Sequence, residues 1–239
     1  MTQTLFPYAL AHLREYLEAA WPPSNPAPSA MLLADVDALK ALSDADVAAA
    51  LPGAAAAAIP SSAELLSKGR EGTLIAVAAY LASLMASDRK VGPLKAIQGR
   101  IWRDGYLSGT LKGHVYVDTP VALKEWCNKG RRCYIYSSGS REAQRLLFAH
   151  SEAGDLRPHI SGYFDTTTGP KSAPSSYAEI ALSIGVDAPS RILFLTDSIA
   201  EARAAASAGL KVAITVRPGN VPLPERHGFP VATTLLDVV

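Results

Sequence analysis

Two spacings of apolar residues divide this chain. From Leu5 to Tyr106 they recur every three or four positions, as in helices that bury one side. Beyond Gly113 they gather into short unbroken runs, with helical segments between them. In the first half the pattern predicts helices over Leu5–Ala20, Ala30–Leu42 and Ser43–Leu51. Ser43 is placed to N-cap the third of these, with Asp46 at its third position. Gly72–Ser87 is apolar nearly all round, which predicts a helix buried within a bundle. Ala96–Gly109 carries Ile97, Ile101, Trp102 and Tyr106 on one side. The prolines of Trp21–Pro26 predict a turn, and Pro52–Pro60 a low-complexity loop.

In the second half, a helix is expected over Pro120–Asn128, with Thr119 as N-cap and Pro120 at the first helical position. Cys133–Tyr136 then reads as a buried strand, and Arg141–Ser151 as an amphipathic helix. After Ile160–Thr168 come a helix at Ser175–Ile184, an apolar run at Ile192–Leu195, a helix at Ile199–Ala208 and a strand at Val212–Val216. Strands alternating with helices imply a parallel α/β sheet. Two domains are therefore expected, a helical one over residues 1–112 and an α/β one over residues 113–239.

Composition excludes some functions. The 239 residues are 49% hydrophobic and 19% charged, with a formal charge of +1. Neither a nucleic-acid surface nor an anionic-membrane surface is expected from that balance. The longest apolar stretch, Leu74–Ala86, is 13 residues and too short to span a bilayer. His12, Arg14 and Glu15 interrupt any early leader-like run. Cys127 and Cys133 form no disulfide framework and are expected to be buried thiols in a reducing compartment. A cytoplasmic monomer is the expectation. The five histidines show no metal-ligand spacing.

Candidate chemistry gathers at the carboxyl ends of the predicted strands, where parallel sheets hold ligands. The first strand stops at Ser137-Ser138-Gly139 just before a helix. Backbone N–H groups and hydroxyls there could hold an anion, or simply cap the helix. The run at Ile192 ends in Thr196-Asp197, with Glu201 one helical turn later. These two carboxylates could share a hard cation such as Mg²⁺, or could serve as helix-start acids. Lys171 follows Gly169-Pro170 in a loop, either as a phosphate partner or as a solvated lysine. Asp35 and Asp37, in Met31–Leu39, follow an apolar run in a D-x-D arrangement. The helical spacing of Leu32, Val36, Leu39 and Leu42 favours a solvated helix face for them over a catalytic role.

The order SSG, Lys171, FLTD resembles motifs II, III and IV of the haloacid dehalogenase superfamily. Leu5–Leu17, Ser87–Tyr116, Tyr134–Leu156, Phe194–Ala202 and VRPGN (Val216–Asn220) narrow the resemblance to the enolase-phosphatase of methionine salvage, also called acireductone synthase. The LKxxQGxxWxxGY and YIYSSGSxxAQxLLF patterns are specific to that family. The resemblance implies a parallel-sheet core with a helical cap. It also implies a small phosphorylated diketone substrate, 2,3-diketo-5-methylthiopentyl-1-phosphate, which is enolised and then dephosphorylated. Position by position, it assigns Ser137 and Ser138 to phosphate and substrate, Lys171 to the phosphoryl oxygens and Asp197 to Mg²⁺. Gly139 and Glu201 stand as candidates behind them.

One motif of the family does not occur in the 239 residues: the strand ending in Asp-x-Glu-Gly-Thr, whose first aspartate is the nucleophile. No catalytic nucleophile is therefore assigned. A non-catalytic, phosphate-binding remnant is the alternative reading. In the superfamily that strand lies between those carrying motifs II and IV. The strands ending at Ser137 and Asp197 are thus expected either to stand about 10 Å apart, twice the usual spacing, or to collapse into direct pairing.

Overall fold

The computed structural model describes residues 2–50, 59–89, 91–223 and 227–238. The chain forms two compact units, Met1–Leu111 and Lys112–Val239.

The first unit is helical: α1 (Thr2–Ala11), α2 (Leu13–Ala20), α3 (Ala30–Ala48), α4 (Ser62–Ser67), α5 (Gly69–Ala86) and α6 (Gly92–Leu107). Leu17, Leu39, Leu74, Val77, Leu81 and Ile97 are fully buried at its centre. Gly105 is required there, because an added Cβ would lie 2.7 Å from the Tyr8 hydroxyl and 2.8 Å from Leu111. The Trp102 indole donates to the Leu5 carbonyl at 2.8 Å and ties α6 to α1.

Three expectations for this unit change. Residues 30–48 form one helix, not two. Ser29 caps it, and no glycine or proline interrupts it before Ser43. The Ser43 hydroxyl accepts instead from the Ile59 N–H, and Asp46 takes both terminal nitrogens of Arg89. Asp35 is buried, not solvated, and pairs with Arg100. In mid-helix and already engaged by a guanidinium, it is no strand-end nucleophile. Finally, α5 buries one face only. Leu74, Val77, Leu81 and Leu84 are inside, while Ile75 is 55% exposed, so its apolar circumference exceeds what the bundle covers. The Pro52–Pro60 loop falls largely outside the described residues.

The second unit alternates: α7 (Thr119–Asn128), β1 (Tyr134–Tyr136), α8 (Arg141–Ala149), β2 (Gly162–Phe164), α9 (Pro174–Ser183), β3 (Leu193–Thr196), α10 (Ile199–Ser207), β4 (Lys211–Thr215) and β5 (Val231–Ala232). Every strand pairing is parallel. Thr119 is the first residue of α7 rather than its cap; Asp118 holds the cap position and spends its carboxylate elsewhere. Alanine-rich α10 lies close on the sheet. Ala202 and Ala205 are fully buried in a cluster with Tyr177, Leu210, Val212 and Ile214.

The strands fall into two sheets, β1–β2 and β3–β4–β5. Direct pairing of β1 with β3, one of the two expected outcomes, is not found. Because Cys133 and Ser137 bond to the β2 side, alternate residues Tyr134 and Tyr136 turn their backbone groups the other way. On β3, Ile192 bonds to β4, so Leu193 and Leu195 turn away from it. Aromatic side chains connect the two strands. Tyr177 sits edge-on to Tyr136 with ring centroids 5.7 Å apart, and edge-on to Phe194 at 5.0 Å. The Cys133–Tyr136 strand is consequently half-buried rather than buried, and Leu193 is 41% exposed. Strands covered on both edges and both faces do not show such exposure.

Candidate functional site

The carboxyl ends of β1 and β3 converge on one ammonium. Lys171 Nζ lies 5.7 Å from the centroid of the Tyr136 ring, at the end of β1. It also lies 2.8 Å from Glu201 Oε2, in the first turn of α10. The same Glu201 oxygen accepts from the Thr196 hydroxyl at 2.8 Å, at the end of β3. Glu201 therefore orients Lys171 through this one carboxylate oxygen.

Sequence reasoning missed how the lysine loop is built. Three successive carbonyls of Gly169-Pro170-Lys171 each accept one hydroxyl. Tyr136 donates to Gly169 at 2.8 Å, Ser176 to Pro170 at 2.8 Å and Tyr177 to Lys171 at 2.7 Å. Gly169 has φ +141°, and an added Cβ would lie 2.2 Å from the Ser176 hydroxyl. Burial pushes the Tyr177 hydroxyl well above its ordinary pKa, with Glu201 adding to the effect, so it remains a donor at any ordinary pH. The hint was present in the hydroxyl-bearing residues at Tyr136, Ser176 and Tyr177, but only the fold brings their tips to one loop.

At the end of β1, Ser137 is half-buried and Ser138 exposed. The Ser137 Oγ accepts from the Gly139 N–H at 3.2 Å. The start of α8 is capped at two of its backbone N–H groups. The Ala143 N–H goes to the Ser140 hydroxyl and the Arg141 N–H to Asp165. Gln144 then fastens the loop by donating to the Gly139 and Phe164 carbonyls at 2.8 and 2.9 Å. Asp165 is buried and was not singled out from sequence. Burial alone would raise its pKa, but hydrogen bonds from Thr167 and the Arg141 N–H outweigh that and hold it below the ordinary value.

Asp197 is exposed, just beyond β3. Its Oδ2 accepts from the Asn220 amide at 2.8 Å. Its other oxygen has no protein partner among the described residues. Among the described residues, no group of three or more histidine, cysteine or acidic side chains is arranged to hold a metal ion. A single carboxylate suits Mg²⁺, which keeps several waters and takes substrate phosphate oxygens as ligands.

A cavity of about 690 Å³ lies elsewhere in this unit, lined by Arg132, Tyr134, Arg141, Phe164, Thr167 and Glu179 among others; none of the strand-end candidates lines it. The cysteines are half-buried rather than buried. The Cys127 thiol donates to the His159 carbonyl at 3.3 Å, and burial together with Cys127 pushes the Cys133 thiol up to about 11. Raised so far, the Cys133 thiol is not set up as a nucleophile. No described helix is long and apolar enough to cross a membrane.

A parallel α/β unit with hydroxyl, ammonium and carboxylate groups at its strand ends has the layout of the α/β class whose ligands lie at the carboxyl ends of the strands. The chain belongs to the haloacid dehalogenase-like hydrolase family, which its residues 4–209 match. Among solved structures, it is similar to the UTR4 protein of Saccharomyces cerevisiae, at 30% identity and a TM-score of 0.70 over 98% of this chain and 90% of that one. Among curated proteins, it is 44% identical over 96% of its length to a probable bifunctional methylthioribulose-1-phosphate dehydratase/enolase-phosphatase E1 of Sorghum bicolor, of which it covers 42%. It is 43% identical over its whole length to the protein of that name from Populus trichocarpa, of which it covers 44%. The chain thus spans less than half the length of these curated relatives.

Proposed function

We propose that this chain is the enolase-phosphatase portion of a methionine-salvage enzyme. Its substrate is 2,3-diketo-5-methylthiopentyl-1-phosphate and its product acireductone, formed by enolisation and then phosphate-ester hydrolysis. The helical unit serves as the cap and the α/β unit as the catalytic core. The observation that carries the reading is the convergence of β1 and β3 on Lys171. The names of relatives at 43–44% identity support it.

In this reading, Ser137 and Ser138 donate hydroxyls to the phosphate. Lys171, held at its carbonyl by Tyr177 and at its ammonium by Glu201, faces the phosphoryl oxygens and offsets their charge. Asp197 holds Mg²⁺. When bound, that ion supplies Lewis-acid stabilisation of oxygen anions. The nucleophilic carboxylate belongs on a strand between β1 and β3, where Tyr134, Tyr136, Leu193 and Leu195 offer their backbone groups.

Phosphate release from the diketone phosphate tests this. Residues 1–239 alone should show none. The same chain lengthened at its N-terminus by a strand ending in Asp-x-Glu-Gly-Thr should turn over. Equal rates in both would place the nucleophile within these residues. No release by the lengthened chain would favour the alternative, a phosphate-binding protein without catalysis.

A further inference from the structure

We propose that Asn220 is a positioning residue that sets the Asp197 carboxylate for a divalent cation. The inference rests on the reading of Asp197 as the cation's ligand and adds the group that aims it. An asparagine amide can face either way, but here its orientation is fixed. The Asn220 Oδ1 accepts from the Arg217 N–H at 2.6 Å, so the Nδ2 must point to Asp197, where it donates at 2.8 Å. That amide satisfies one carboxylate oxygen without neutralising the charge. A lysine in its place would compete with the cation; an apolar residue would leave the carboxylate free to rotate.

The loop that presents Asn220 is itself clamped. The Arg217 guanidinium takes both oxygens of buried Asp118, donates to the Thr233 carbonyl at 3.1 Å, and lies 4.2 Å over the Tyr116 ring. The Tyr116 hydroxyl donates to the Pro218 carbonyl at 2.9 Å. The Asn220 N–H returns to the Arg217 carbonyl at 3.0 Å, closing the turn. Gly219 supplies the left-handed backbone, φ +90°, that this turn needs. An exposed strand-end aspartate is thereby referenced to a buried ion pair whose partners, Asp118 and Arg217, lie 99 residues apart in sequence.

Two substitutions separate aiming from loop structure. Asn220→Ala removes both the donor and the acceptor. Asn220→Asp keeps the acceptor for the Arg217 N–H and replaces only the group facing Asp197. Mn²⁺ binding to the chain lengthened by the Asp-x-Glu-Gly-Thr strand, followed by electron paramagnetic resonance, is the readout. Asn220→Ala should raise the Kd several-fold. Asn220→Asp should lower it, because a second carboxylate then faces the cation, and should lower the Tm without metal, because two like charges adjoin. A native Kd in Asn220→Ala overturns the proposal; so does a native Kd in Asn220→Asp, which would mean that position 220 does not face the cation. Asp197→Asn is the control. Unchanged Mn²⁺ affinity in that variant, or no binding by the lengthened chain, would remove the cation reading itself, and this inference with it.

Discussion

Lys171, Ser138 and Asp197 differ in what each can contribute. A charge-assisted hydrogen bond is worth about 1.5–3 kcal/mol and a neutral one about 0.5–1.5 kcal/mol. Lys171→Ala should therefore weaken binding of a phosphate analogue by roughly tenfold or more, since 1.4 kcal/mol is a factor of ten. Ser138→Ala should weaken it by only a few-fold. Isothermal titration with a phosphate analogue measures both; unchanged affinity in both would return these side chains to solvent and cap. Asp197→Asn should abolish Mg²⁺-dependent turnover in the lengthened chain, because it replaces the charged oxygen ligand. Turnover near the native rate at ordinary Mg²⁺ would remove Asp197 from the site.

At the scale of elements, the loop from Gly169 to Lys171 is the piece that only works whole. Tyr177→Phe leaves the Lys171 carbonyl without its hydroxyl inside a buried cluster, at a cost of about 1–3 kcal/mol. Gly169→Ala should be worse, because the backbone at φ +141° and the Ser176 hydroxyl 2.2 Å away both oppose a Cβ. Chemical denaturation should show a lower midpoint in both variants, and phosphate-analogue affinity should fall with it. Full affinity in Gly169→Ala would mean that the loop does not set the position of Lys171. Much of this unit could be read from sequence: the strand at Tyr134–Tyr136, the helix after it, and α9, α10 and β4 follow from apolar runs and stop signals. The division of residues 30–51 into two helices did not survive. A serine mid-helix looks like a cap until its partner, the Ile59 N–H 16 residues on, is known.

Across the second unit as a whole, the buried Asp118–Arg217 pair ties the start of α7 to the loop after β4 and to the C-terminal segment through Thr234 and Leu235. The Arg217 guanidinium holds the Asp118 carboxyl well below the usual carboxylate range, with the Leu235 N–H and Thr234 hydroxyl assisting. Its folded pKa lies below its unfolded value of about 3.9, so the unfolded chain binds the proton more readily. The stabilisation is complete above the unfolded pKa and is lost as pH falls from about 5 toward the folded pKa. Arg217→Ala should cost about 3–5 kcal/mol, since it leaves a buried carboxylate unpaired. Thermal melts from pH 7 down to pH 3 should show a shallower loss of Tm in Asp118→Asn than in the native chain. Parallel slopes would place the acid sensitivity elsewhere. The two open strand edges also predict self-association of residues 1–239, which light scattering would detect and a strand-lengthened chain would suppress.

What the sequence determined by itself was periodic or local: helices then α/β alternation, the strand-end positions of Ser137, Ser138 and Asp197, and the motif order that resembles one enzyme family. These are legible because apolar spacing and turn residues act over a few positions. What only the tertiary structure decided was partnership over long separations. Glu201 proved to hold Lys171, Asp165 to take the α8 N–H, Asp35 to lie buried against Arg100, and Asn220 to face Asp197. A side chain's hydrogen-bond partner depends on where the packed elements bring it, and no pattern of neighbours along the chain encodes that distance.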